Sequence, residues 1–198
     1  MKNRREKLGW IAMAVVAALG AACAKESAEA PAPAPEPEPA PVVRTATADL
    51  APREGGQESG RVTFTQEGDG PVRISAAVSG ASAGDHGFHI HAVGDCSAAD
   101  FTSAGGHFNP ADSPHGGPDD AVRHAGDLGN ISIGDDGSGS LELTSDLITL
   151  AAEAPSSIVG KAVILHEGTD DLVSQPTGAA GGRLACGVIQ PVSGGGGA

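Results

Sequence analysis

The sequence predicts an all-β domain, an antiparallel sandwich or flattened barrel, and three observations lead to this prediction. The 198-residue chain contains 30 Gly and 14 Pro, residues that disfavour helix interiors. Apolar and polar residues alternate in several short stretches, as they do in half-buried strands. Gly-rich turns separate these stretches, which is typical of antiparallel all-β folds.

The N-terminal residues 1–22 have the pattern of a lipoprotein-type signal peptide. A basic start precedes an apolar run over residues 8–22, which is shorter than the roughly 20 residues that a membrane-spanning helix needs. Small residues before Cys23 resemble the processing box of bacterial lipoproteins, in which the cysteine is lipidated, although Gly20 departs from that box. The alternative is an ordinary signal peptide cut nearby, with Cys23 free or removed.

A spacer then separates this segment from the domain. Residues 23–41 consist almost entirely of Ala, Pro and Glu, cannot bury a core, and favour an extended, semi-rigid conformation. Residues 42–192 form one domain by size, and residues 193–198 form a flexible Gly-rich tail. We therefore expect an exported domain on a stalk, on the periplasmic side, and Ala24 after Cys23 favours an anchor in the outer membrane.

Within the domain, the strands follow from hydrophobic periodicity. Alternation predicts strands at 61–65, 72–79, 131–133 and 141–143. The last two flank the turn at 134–137 (GDDG) and predict a hairpin. The stretch 162–165 is apolar on both faces and predicts a buried strand.

The chain is strongly acidic. Its formal charge is −13, and removing residues 1–22 takes away four basic residues and one acidic residue, which leaves about −16. This charge argues against binding to nucleic acid and against electrostatic binding to anionic lipid. We therefore expect contact with a membrane only through the N-terminal anchor.

The three cysteines allow one disulfide if Cys23 carries lipid. Cys96 and Cys186 then remain, and export places them in an oxidising compartment where a disulfide persists. The alternative is that both bind metal as thiolates.

Residues 107–127 form a Gly- and Pro-rich loop that contains three histidines and a candidate carboxylate ligand: His107, His115, His124 and Asp127. A loop of this length without regular structure normally has a functional reason. Three imidazoles and one carboxylate are a reasonable ligand set for tetrahedral zinc. The alternative is a solvated polar loop whose histidines are incidental.

A second set of histidines lies on predicted strands. Residues two apart in a strand share a face, so His89 and His91 project together. His166 ends the buried strand and supplies a third imidazole. All-nitrogen ligation in an open arrangement suits Cu(II). For His86 we favour a core histidine that hydrogen-bonds to backbone.

Six segments in this order resemble the copper,zinc superoxide dismutases and cover essentially the whole domain. They are 87–91 (GFHIH), 105–110 (GGHFNP), 115–118 (HGGP), 123–130 (RHAGDLGN), 166–171 (HEGTDD) and 182–189 (GRLACGVI). The resemblance implies an eight-stranded Greek-key barrel with long metal-binding and active-site loops. It also implies dismutation of superoxide to dioxygen and hydrogen peroxide, with one copper and one zinc per chain, in a monomer or a homodimer.

The resemblance assigns a role to each site residue. Copper would be held by His89, His91, His107 and His166, and zinc by His107, His115, His124 and Asp127. His107 would bridge the metals and deliver a proton, and Arg183 would receive the anionic substrate. Asp170 would hydrogen-bond a copper histidine and a zinc histidine, His86 would orient the copper strand, and Cys96–Cys186 would be the family disulfide.

One segment departs from the common eukaryotic pattern. The stretch from 170 to 183 is shorter and lacks the charged cluster credited with steering superoxide, although it keeps Thr177 as a candidate channel wall. We therefore expect Arg183 to provide most of the anion guidance. The alternatives to an enzyme are a periplasmic copper/zinc-binding protein without turnover and an interaction module with a dead site. The retained ligands argue against the second.

Overall fold

The computed structural model describes residues 41–192. The predicted signal peptide at 1–22, the lipidation of Cys23, the linker apart from its last residue, and the tail at 193–198 lie outside the described residues and stay predictions. The domain boundaries at 42 and 192 also stay predictions, because nothing in the fold tests them.

Within residues 41–192 the chain forms nine β-strands and one short 3-10 helix at Thr102–Ala104. The strands are β1 (Val43–Pro52), β2 (Ser59–Glu67), β3 (Val72–Ser79), β4 (Gly84–His91), β5 (Asp127–Ile133), β6 (Ser138–Ser145), β7 (Ala162–His166), β8 (Arg183–Val188) and β9 (Gln190–Pro191). No helix in this part of the chain is long and apolar enough to cross a bilayer.

Eight strands close into an antiparallel barrel. Their order is β2-β3-β6-β5-β4-β7-β8-β1, and β1 returns to pair with β2, while β9 adds a short pairing to β1. Because β3 and β4 are not neighbours, and neither are β6 and β7, the connections cross the barrel ends in the Greek-key manner. The predicted all-β fold and the eight-stranded barrel implied by the resemblance are confirmed.

Alternating residues explain which faces enter the core. On β2, Val62 and Phe64 are fully buried, whereas their neighbours along the strand are more exposed. β3 alternates in the same way over its whole length. β7 is buried on both faces, as its continuous apolar run predicts. Each large side chain buried in this way stabilises the fold by roughly 1.5–3 kcal/mol relative to exposure.

β4 packs one face against the barrel core and carries two histidines of the site on the other face. Phe88 and Ile90 point into the main apolar core, and this places His89 and His91 on the opposite face. Register shifts occur between Gly87 and His89 in the β4–β5 pair and between Leu165 and His166 in the β7–β8 pair. Irregularities of this kind re-aim side chains next to functional sites, and each lies beside a histidine of the site.

A disulfide joins Cys96, in the long β4–β5 connection, to Cys186 on β8, which confirms the predicted pair and makes the thiolate alternative wrong. The bridge belongs to a small apolar cluster that also contains Phe101 and Ala104. It therefore anchors the first part of the β4–β5 connection to the barrel wall.

Replacing Cys96 and Cys186 with serine is expected to lower the free energy of unfolding by up to about 4–5 kcal/mol, because the two cysteines are 90 residues apart and the bridge restricts a large loop in the unfolded chain. Denaturant titration of the metal-free proteins measures this change. Reduced wild-type protein serves as the control and should match the double variant. Equal stability of oxidised and reduced wild type would contradict the prediction.

Candidate metal centre

Four buried histidines form the first group: His89, His91, His107 and His166. One nitrogen from each ring lies within 4.8 Å of the corresponding nitrogens of the others. His89 and His91 come from β4, His166 from β7, and His107 is brought alongside by an isolated bridge to His91. The structure therefore assembles the predicted copper ligands into one all-nitrogen cluster.

A second buried group consists of His107, His115, His124 and Asp127, whose ligand atoms also lie within 4.8 Å of one another. Asp127 Oδ1 lies 2.7 Å from His107 Nδ1 and 3.1 Å from the Nδ1 atoms of His115 and His124. Asp127 Oδ2 accepts hydrogen bonds from the backbone N–H groups of Gly116 and His124. The backbone thus fixes the carboxylate so that one oxygen faces all three imidazoles.

His107 is the member common to both groups. Its Nδ1 contacts Asp127, and its Nε2, on the other side of the ring, is buried without a hydrogen-bond partner. Among residues 41–192, the buried side-chain nitrogen and oxygen atoms without a partner are His89 Nδ1, His107 Nε2 and His115 Nδ1. The 3.1 Å approach of His115 Nδ1 to Asp127 does not have hydrogen-bond geometry.

These unpartnered atoms test whether metals fit. An unsatisfied buried polar atom costs roughly 1–3 kcal/mol, so three of them at one place indicate missing partners. A metal ion would satisfy each nitrogen through its lone pair. Four imidazoles suit copper, and three imidazoles with a carboxylate suit zinc. The residues present therefore fit both metals.

Asp170, on the β7–β8 connection, contacts one histidine of each group. Its Oδ2 lies 2.7 Å from His89 Nε2, and its Oδ1 lies 3.0 Å from His115 Nε2. Each contact occupies one ring nitrogen and leaves the other, Nδ1, free for a metal. A partner of this kind sets the tautomer and orientation of a ligating histidine, which is the role that the resemblance implies for Asp170.

His86 acts on backbone and not on a ligand ring. Its Nδ1 lies 2.8 Å from the carbonyl oxygen of His166, and its Nε2 lies 2.9 Å from the carbonyl oxygen of Ser82. It therefore fastens β4 to the end of β7, where His166 enters the first group.

Two side-chain amides, those of Asn130 and Gln175, hydrogen-bond to the backbone of site residues, and the sequence analysis did not identify either of them. Asn130 donates to the carbonyl of Asp170 at 2.9 Å and accepts from its N–H at 2.7 Å, so it fixes the backbone beneath that carboxylate. Gln175 makes a similar pair of bonds to the backbone of His115. Asn130 stands in a family-like segment, whereas no motif marks Gln175.

Arg183 lies beside the first group. It is the register partner of His166 on the neighbouring strand, and its guanidinium donates to the carbonyls of Phe101 and Gly105. The Gly105 carbonyl also contacts His91 Nδ1 at 2.8 Å, so one oxygen links the cation to a predicted copper ligand. Burial lowers the pKa of Arg183 and the Asp100 charge opposes this, but a guanidinium stays charged in proteins.

Burial keeps three histidines of the first group, His91, His107 and His166, neutral. It lowers the pKa of His91 to about 2, of His107 to about 4 and of His166 to about 3. The Arg183 charge adds to the lowering for His91 and His166. Neutral imidazole is the form that binds metal, so protons compete little with a metal for these nitrogens at neutral pH.

The two carboxylates stay ionised. Burial alone would raise the pKa of Asp170, but hydrogen bonds from His89, the Leu172 N–H and His115 outweigh it and lower the value to about 2. For Asp127 burial acts in the same direction, and the His107 and Gly116 hydrogen bonds again give a net lowering of the pKa. Both groups therefore supply negative charge next to the imidazoles.

The metal-free protein is expected to lose stability steadily as the pH falls from about 6.5 to 4. The unfolded histidines take up protons near their ordinary value of 6.5, whereas folded His91, His107 and His166 resist protonation until about 2, 4 and 3. The unfolded state therefore binds more protons in this window, and the free energy of unfolding declines. Chemical denaturation at several pH values measures the slope, and His91→Gln should give a shallower one. A flat profile would contradict the prediction.

Comparison with known proteins adds two findings. Residues 58–189 match the family model described as copper/zinc superoxide dismutase, and this range contains every member of both groups and Arg183. A solved structure described as a crystal structure analysis of the clock protein EA4 is 41% identical to this chain, with a TM-score of 0.66. The match covers 74% of this chain and 93% of that one.

Proposed function

The chain belongs to the copper/zinc superoxide dismutase family, and from this premise we propose that it converts superoxide into dioxygen and hydrogen peroxide. The observation that carries the proposal is the geometry around His107, which both histidine groups share, together with a cation next to one of them. A protein that only stores metal has no need of a guanidinium at that position.

We assign copper to the first group, His89, His91, His107 and His166, and zinc to the second, His107, His115, His124 and Asp127. When bound, copper would supply a one-electron redox couple, Cu(II)/Cu(I), and zinc, which is redox-inert, would supply a fixed charge that holds the loop. In balance, two superoxide ions and two protons yield one dioxygen and one hydrogen peroxide.

The protein's own residues handle the charge and the protons. Arg183 attracts the anionic substrate and orients it with the N–H groups left over from its two backbone bonds. His107 Nε2 has no partner among the protein's own atoms, so it can carry a proton in place of a metal and pass that proton to the reduced oxygen species. Asp127 holds His107 at Nδ1 and keeps that nitrogen turned towards the second group.

The direct test compares purified protein loaded with copper and zinc against the same protein loaded with zinc alone. We expect rapid superoxide disappearance only in the sample that contains copper, with bleaching and recovery of the copper absorption during turnover. Full occupancy of both groups without activity would refute the enzyme and favour the alternative below.

The alternative is a non-catalytic copper/zinc-binding protein on the same frame. One observation favours it: a structure 41% identical to this chain is described as a clock protein. Such a protein would hold both metals, and its copper would not need to cycle with superoxide. The copper absorption experiment separates the two functions.

We also propose that the protein is exported and lipid-anchored through Cys23 on the periplasmic side, with the outer membrane favoured. The basic start, the apolar run and the small residues before Cys23 support this. Mass spectrometry of the mature N-terminus tests it, since lipidation adds mass at Cys23 and Cys23→Ser should abolish it. The assembly state, monomer or homodimer, stays a prediction.

A further inference from the structure

The loop at residues 170–178 contacts the proposed zinc ligand His115 in two ways. Asp170 Oδ1 lies 3.0 Å from the ring nitrogen Nε2 of His115. Five residues further on, Gln175 reaches the main chain of the same histidine. One loop therefore fixes both the ring and the backbone of a single ligand that lies 60 residues from Gln175 in sequence.

The Gln175 amide forms a two-sided pair with His115. Its Oε1 accepts a hydrogen bond from the His115 N–H at 2.8 Å, and its Nε2 donates to the His115 carbonyl at 2.9 Å. Although Gln175 is an exposed residue, these contacts are partly buried. Within residues 41–192, the backbone N–H and carbonyl of His115 have no other hydrogen-bond partner.

The other ligands of the second group are held independently of Gln175. His107 forms an isolated bridge with His91 of β4, and the His124 N–H donates to Asp127 Oδ2 at the start of β5. His115 lies between Pro114 and Gly116 on a loop without regular structure. The backbone N–H and carbonyl of His115 therefore depend on Gln175 alone, whereas the backbones of His107 and His124 have partners other than Gln175.

Hydrogen bonds within the 170–178 loop hold it in the conformation that makes this contact. Asp171 Oδ1 accepts hydrogen bonds from the N–H groups of Val173 at 3.0 Å and Ser174 at 2.8 Å, and backbone bonds join Asp171 to Gly178 and Gly178 to Ser174. Gly178 has φ +65°, and a Cβ there would overlap the Asp170 carboxylate. The loop thus packs directly against Asp170, which Asn130 anchors from the barrel side.

We propose that Gln175 is a positioning residue that holds His115 ready for zinc. The proposal rests on the proposed function, which assigns zinc to the second group. With its backbone fixed by Gln175 and its ring by Asp170, His115 keeps Nδ1 buried and unpartnered beside Asp127 before metal arrives. Zinc then binds without first ordering this part of the loop, and preorganisation of that kind raises affinity.

The test measures zinc and copper affinity of the full chain by chelator competition, without turnover. We expect Gln175→Ala to bind zinc about 10–100-fold more weakly, the range seen when an outer partner of a metal ligand is removed, and copper with the affinity of wild type. Gln175→Glu should also lose zinc affinity, because it cannot donate to the His115 carbonyl and places an anion against it. Val173→Ala, on the same loop with a side chain that points to solvent, is the matched control and should bind like wild type.

Amide hydrogen exchange of the folded variants supplies a second readout. In Gln175→Ala the His115 N–H should exchange faster, whereas the adjacent Gly116 N–H, which donates to Asp127, should stay protected. Wild-type zinc affinity in both Gln175 variants would overturn the proposal and leave the dismutase assignment intact. An equal loss in Val173→Ala would also overturn it, since the effect would then belong to the loop as a whole. Wild-type protein that binds no zinc would refute the zinc assignment itself.

Discussion

Replacing His107 with alanine is expected to remove copper and zinc binding together and to lower the rate of superoxide dismutation by more than about 100-fold. His107 belongs to both groups, through Nδ1 beside Asp127 and through the unpartnered Nε2. Losing an outer partner of a metal ligand already costs about 10–100-fold, and His107 is itself the residue that we assign to both metals. Metal content after dialysis against a chelator and the dismutation rate are the measurements.

Two matched variants make this prediction specific. His166 belongs only to the first group and His115 only to the second, so His166→Ala should lose copper and keep zinc, and His115→Ala should do the reverse. Only His107→Ala should lose both. Retention of full zinc occupancy by His107→Ala would contradict the shared-ligand assignment, provided that its circular dichroism shows a folded barrel.

Periodicity predicts most of the barrel, because a strand with one buried face must alternate. The stretches around Val62 and Phe64 and along β3 were predicted for this reason and are confirmed. β1 was not predicted, although Ala46 and Ala48 are buried in alternation. Alanine contributes little apolar area, so its alternation with threonine gives a weak signal. β9 has two residues and gives no periodic signal at all.

The local part of the site could also be predicted from the sequence. Strand geometry alone puts His89 and His91 on one face, and the structure brings both into the first group. Which loop histidines join them depends on how the β4–β5 connection folds, and the family-like segments supplied that information where periodicity could not. Contacts between distant loops, such as Gln175 with His115, carry no sequence signal, because an amide in a loop has many available partners.

The contacts of Arg183 with a distant loop could not be predicted from the sequence either. The resemblance marks the arginine, but the carbonyls that accept its hydrogen bonds belong to Phe101 and Gly105 on the disulfide-anchored connection. Phe101 has φ 60°, a left-handed conformation that is uncommon for a non-glycine residue and that no propensity scale would assign to it. The turn is supported by Asp100, which accepts hydrogen bonds from Thr102.

Replacing Arg183 with alanine is expected to lower the dismutation rate by about 10–100-fold, within the range by which a focused local charge raises association rates. The chain carries a formal charge of −13, so the background field repels superoxide, and the Arg183 charge acts directly at the first group, where it lowers the pKa of His91 and His166. Added salt should slow the wild type by screening Arg183. In Arg183→Ala this guanidinium no longer opposes the repulsion of superoxide by the net negative charge of the chain. Added salt screens that repulsion, so it should leave the rate unchanged or raise it.

Arg183 also donates hydrogen bonds to the Phe101 and Gly105 carbonyls. The effect of its charge must therefore be distinguished from the effect of losing these hydrogen bonds. Arg183→Lys keeps the charge with fewer fixed donors and should retain more activity than Arg183→Ala and the salt response of the wild type. Arg73→Ala removes the same unit charge from β3, which carries no residue of the site, and should change neither rate nor salt response. An unchanged rate and salt dependence in Arg183→Ala, with copper fully bound, would mean that the barrel guides superoxide by charges other than this one.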